Sequence, residues 1–137
     1  MILDFLQQRF SYVHQVNVGW MRMLSELDDL PLELRQVVSK LINNGHINVA
    51  EILDKTPESE LDDLLPEMHW EQLERDNYQL WLDIFMQYNQ GLKDDIEWLT
   101  PRLFKALHEN AQYLGQLKLL AKNNGIPVFN DQIIVIN

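Results

Sequence analysis

The side chains of this 137-residue chain that could do chemistry are four histidines (His14, His46, His69, His108) and a dense set of carboxylates. The tightest local group is Glu67, His69, Glu71 and Glu74. Carboxylates bind hard cations and an imidazole binds zinc, so Glu67, His69 and Glu71 are the set a metal-dependent hydrolase would use. Glu67 and Glu71 straddle a predicted helix start rather than lining one face, and the positive end of a helix dipole is reason enough for acids there. No His-Glu-x-x-His or Glu-x-x-His spacing occurs. The pairs Asp28-Asp29, Asp62-Asp63 and Asp94-Asp95 are adjacent in sequence, so on a helix they point apart. There is no Gly-x-Ser-x-Gly, and the five glycines are all isolated, so neither a nucleophile elbow nor a phosphate loop is present. No motif identifies a reaction. The sequence predicts a binding protein rather than an enzyme, with no cofactor and no metal.

Charge is the more informative property. The formal net charge is −10, and it is uneven. Residues 26–98 hold 18 acids against five bases, while residues 1–25 and 99–137 are each slightly basic. Such a field repels phosphate backbones and anionic membranes and attracts basic proteins. Residues 51–76 alone carry ten acids against Lys55 and Arg75. The absence of cysteine excludes disulfides and thiolate chemistry. The N-terminal stretch does not read as a signal peptide, and no apolar run approaches the ~20 residues of a membrane span, so a cytoplasmic protein is expected.

The elements that must position these residues are mostly helices. Ile2, Leu6, Phe10, Val13, Trp20 and Leu24 recur at helical spacing and predict a helix over 2–25. Gly19 lies inside it, which calls for either a close neighbour or a bend. A second helix begins at Pro31 and is expected to stop at Asn43-Asn44-Gly45, followed by a short helix over 48–55. Thr56-Pro57 and Pro66 bracket another short helix, whose Leu61–Leu65 stretch has the Leu-x-x-Leu-Leu pattern of any amphipathic helix. Residues 70–90 are the most apolar and predict a helix that is central or at an interface, closed by Gly91. A helical turn over 93–99 and a last helix from Thr100-Pro101 to Asn124-Gly125 follow, either as two elements or as one continuous helix through Pro101. Val128-Phe129 and Gln132–Ile136 read as a short hairpin around Asn130-Asp131. The fold expected is mainly α: one compact domain, 1–137, of about five to seven helices with a short C-terminal β-hairpin or strand.

Trp20 falls on the apolar stripe of the first helix and belongs to the core. Trp70 and Trp98 sit beside acids, and an exposed ring inside an acidic rim suits a binding surface. The surface predicted comprises Glu51, Asp54, Glu58, Glu60, Asp62, Asp63, Glu67, Trp70, Glu71, Asp94, Asp95, Glu97 and Trp98. The function expected is occlusion of a basic protein partner, as by an inhibitor or immunity protein blocking a nuclease toxin. The competing expectation is a homodimer or assembly subunit joined through the Trp81–Tyr88 face or the Ile133–Ile136 strand.

Overall fold

A computed structural model describes residues 2–130. Its elements are α1 (Ile2–Ser25), α2 (Leu32–Ile52), a 3-10 turn at Glu67–His69, α3 (Trp70–Asn89) and α4 (Ile96–Asn123). Four long helices replace the five to seven expected, and no strand occurs among the described residues. No described helix is long and apolar enough to cross a membrane.

Pairwise contacts give the topology. Gln7 bonds Asn89 and Arg22 pairs with Glu71, so α1 and α3 are antiparallel. Glu33 bonds Asn124 and Glu51 pairs with Lys105, so α2 and α4 are antiparallel as well. α2 and α3 run parallel, packing Val38 near Trp70 at one end and Val49 near Ile84 at the other. The result is an up-down-down-up bundle with α1 and α2 at opposite corners. Parallel neighbours need a long return connection, and residues 53–66 supply it as a strap running back along α2.

The core has two apolar halves. Trp20, Leu24, Leu34, Val38, Trp70 and Leu117 fill the end where α1 finishes. Leu6, Phe10, Val49, Phe85, Leu99 and Leu103 fill the end where α1 begins. Full burial of such side chains stabilises by roughly 1.5–3 kcal/mol each. Trp20 is core, as its stripe position predicted.

The helix ends explain the miscounted elements. α2 runs straight through Asn43-Asn44-Gly45, and its terminus is a Schellman cap at Asp54, whose φ is +54°. There the amide of Asp54 donates to Glu51 O and that of Lys55 to Ala50 O. Gly91 and Gly125 make the same left-handed caps on α3 and α4, where stops were expected. α4 is one continuous helix through Pro101. Because it starts at Ile96, Arg102 and Lys105 lie beyond its positive first turn, where basic side chains would oppose the helix dipole.

α2, not α3, is the enclosed helix. α3 exposes Gln72, Arg75, Asp76, Gln79 and Met86, while α2 buries Ser39, Asn43 and Asn48 along with its aliphatic residues. Trp81, Ile84, Phe85 and Tyr88 of α3 are buried inside the bundle, so the face suggested for a dimer is already occupied.

The described part of the C-terminal arm, residues 126–130, forms no strand: Val128 and Phe129 pack on the first core half as coil. The other arm of the expected hairpin, including Ile133–Ile136, lies outside the described residues. Phe129 also settles the question of Gly19. A Cβ at Gly19 would lie 2.2 Å from the Phe129 ring, so glycine is what lets the ring sit on α1 beside Trp20. Gly19→Ala should therefore unseat Phe129 and lower stability by about 1–3 kcal/mol, the usual cost of overpacking. In a Phe129→Ala background the same change should stabilise, by up to about 1 kcal/mol of helix propensity. Denaturant unfolding of the four-member cycle checks the change of sign.

Candidate functional site

The strap, residues 53–66, does not form the helix expected from sequence over Glu58–Leu65. Its backbone is instead claimed by side chains of α2. Asn43, 1% exposed, donates from Nδ2 to Leu61 O at 3.2 Å and to Asp63 O at 2.9 Å, and accepts from Ser59 Oγ at 2.8 Å. Ser39 Oγ accepts the Leu65 amide at 2.9 Å while donating to Arg35 O. His46 Nε2 accepts the Glu58 amide at 3.0 Å. That bond fixes the tautomer: the proton is on Nδ1, which donates to Asn77 Oδ1 at 3.3 Å. Asn77 Nδ2 in turn donates to Ile42 O. Trp70 Nε1 closes the far end on Leu65 O. A helix over 58–65 would forfeit these bonds, and the buried Asn43 side chain would be left unsatisfied.

The strap presents Asp54, Glu58, Glu60, Asp62 and Asp63 to solvent. Asp62 lies 3.8 Å from Lys40, and Asp63 Oδ2 accepts the Glu60 amide at 2.8 Å. Glu51 is exposed beside the strap's start, with Lys105 at 3.7 Å. Glu67 and Glu71 continue the acidic track at the strap's far end. Glu71 is bonded by Arg22, which is the main reason its carboxyl titrates below the usual range; burial opposes this, and Arg75 adds to it.

Five expected members drop out of this surface. Trp70 is 1% exposed, its ring in the core and its N–H on Leu65 O, so it cannot anchor a partner. Asp94, Asp95, Glu97 and Trp98 are exposed but lie at the opposite end of α3 from Glu67 and Glu71, about 30 Å away for a 20-residue helix. Asp95 there accepts the Tyr88 hydroxyl at 2.5 Å, and the Arg102 guanidinium covers one face of Trp98 at 4.1 Å. The predicted residues therefore form one continuous track, from Glu51 along the strap to Glu71, and a separate acidic corner at the start of α4.

Sequence reasoning missed the buried polar layer between the two core halves. Glu74, counted among the acids of 51–76, is inside: 7% exposed, with Oε2 2.7 Å from His14 Nδ1 and Oε1 accepting from Asn17 at 3.3 Å. Asn17 and Asn110 exchange two bonds, tying in α4, and Asn48 donates to Glu109 at 2.9 Å. A carboxylate behind an imidazole is how a general base is oriented. Here Tyr78 stacks on the His14 ring at 4.1 Å, and the adjoining cavity of about 40 Å³ has room for water, not a substrate. The signal available in sequence was the i, i+3 pairing of polar residues on core faces: His14 with Asn17, Asn43 with His46, Glu74 with Asn77. Glu67, His69 and Glu71 do not converge, and among the described residues no group of three His, Asp or Glu could hold a metal ion. Comparison with protein-family models, curated proteins and solved structures gave no match, which leaves the site to be read from its own chemistry.

Two outcomes follow. Asn43→Ala removes three hydrogen bonds and should cost about 2–3 kcal/mol, with faster amide exchange confined first to residues 58–65; hydrogen-exchange mass spectrometry reads both. For Glu74, burial pushes the carboxyl above its ordinary 4.5, against the bonds from His14 and Asn17. A carboxyl raised on folding contributes stability that is complete below 4.5 and is lost as pH rises through the folded value. Glu74→Gln should remove that descent, so urea unfolding across this window should show the variant gaining on the parent as pH rises.

Proposed function

We propose that this chain is a protein-binding module whose strap docks against a basic partner and occludes it. The observation that carries the reading is the strap itself: a row of exposed carboxylates on an irregular ribbon that buried side chains of α2 hold in place. Fixed acceptors lose little freedom on binding, so more of the electrostatic attraction appears as affinity. The carboxylates stand where phosphates would stand opposite lysine and arginine. The most economical biological form is an inhibitor or immunity protein covering the nucleic-acid-binding face of a nuclease toxin. Basic side chains offset few of these acids: Lys40 reaches Asp62 and Lys105 reaches Glu51, both at the long end of ion-pair distance, and exposed pairs of that kind contribute at most about 1 kcal/mol.

The experiment is capture of a partner from host lysate with the parent chain and with a variant carrying E58Q, E60Q, D62N and D63N. The parent should retain a basic protein that elutes as salt rises, and the variant, with helicity unchanged, should lose it. Equal capture by both would remove the strap as the docking surface.

A further inference from the structure

Where the strap crosses from α2 toward α3 it encloses one side of a cavity of about 460 Å³. Pockets of a few hundred Å³ hold single side chains or small ligands. The walls include Ile42 from α2, Leu65 from the strap, and Leu73 and Leu80 from α3. The polar groups around them have an unusual inventory. Asn77 Nδ2 is bound to Ile42 O, the His46 Nδ1 proton to Asn77, the Ser59 hydroxyl to Asn43, and Gln79 Nε2 to Asp83. Each of these groups already makes a bond inside the chain, which leaves one N–H on each of the Asn77 and Gln79 amides. The charged groups that remain are all acceptors: the Glu58 and Asp76 carboxylates, neither of which has an ion-pair partner among the described residues, joined by the Gln79 side-chain oxygen. Asp76 takes one bond, from Gln72 at 2.8 Å, on Oδ1 alone.

An apolar shaft lined with acceptors and bearing two negative charges from separate elements fits an alkyl stem with a cationic, donor-only head. We propose that this cavity seats one arginine or lysine side chain of the basic partner, with Glu58 and Asp76 taking the cationic head and the aliphatic walls taking the methylenes. The proposal rests on the docking function above and names its anchor. It also assigns Asp76 a contact role that the acidic strap by itself does not. The two carboxylates, neither offset by a basic side chain, exclude an anionic side chain by charge repulsion.

The test is an NMR titration of the full chain with N-acetyl-arginine methylamide and N-acetyl-lysine methylamide, with the citrulline counterpart as a neutral control of the same shape as arginine. Saturable shifts at the amides of Glu58 and Ser59 and at the Asn77 side-chain amide are expected for at least one cation. The citrulline compound should bind about tenfold more weakly or not at all, since the charge-assisted bonds are gone. Asp76→Asn and Glu58→Gln should each weaken cation binding several-fold while the rest of the spectrum is unchanged. Shifts of equal size with citrulline, shifts scattered over the surface, or no effect of either substitution would overturn the seat. A triple variant carrying E60Q, D62N and D63N separates the two proposals. It should lose the partner yet titrate with the cation like the parent. Partner capture that survives in E58Q and D76N, with no cation shifts in the parent, removes the cavity and leaves the docking strap standing.

Discussion

The bond set of one side chain, Asn43, organises the outer half of this molecule. Its amide satisfies two strap carbonyls and its oxygen takes the Ser59 hydroxyl, all at a position that is 1% exposed. A buried amide left without partners costs a few kcal/mol, so the asparagine and the strap require each other. From that follow the enclosure of α2, the irregular path of residues 53–66, and the parallel placement of α2 and α3 that the path makes feasible. Ser39 and His46 extend the same arrangement one turn to either side.

Polar groups also divide the interior. The layer of His14, Asn17, Glu74 and Asn110 separates two apolar halves and links α1, α3 and α4 by directional bonds. Apolar packing alone tolerates sliding and repacking, whereas a satisfied buried network admits one alignment. Burying Glu74 is unfavourable in itself, and His14 and Asn17 offset it only in that register. The two polar systems meet at α3: Glu74 belongs to the inner layer and Asn77, one turn on, belongs to the strap's hydrogen-bond chain.

How much of this was legible in sequence depends on what each residue bonds to. α1 and α3 were readable because their apolar periodicity matches the faces they bury, and Gly91 and Gly125 were readable as caps because they cap. Asn43-Asn44-Gly45 misled because the rule that reads Asn and Gly as a stop assumes they face solvent; here Asn43 faces the strap, and the helix continues to a cap made by Asp54 instead. Thr56-Pro57 misled for the complementary reason, since the α2 donors and acceptors that draw the strap out of a helix sit more than ten residues away in sequence. The acids of residues 51–63 are exposed as expected, since a charge stays in solvent whatever the local conformation. Trp70 and Glu74 were misplaced because an acidic neighbourhood in sequence says nothing about which way a helical residue points.

The proposed docking surface depends on carboxylates that are held still, and in this structure residues 57–65 are held by side-chain hydrogen bonds rather than by helix or sheet. Backbone 15N order parameters measure that directly. Firm anchoring predicts values for this stretch close to those of α2 and α3, near 0.85, despite the lack of regular structure. Values below about 0.6 across the strap would contradict it, and with it the claim that α2 presents a preformed acidic face.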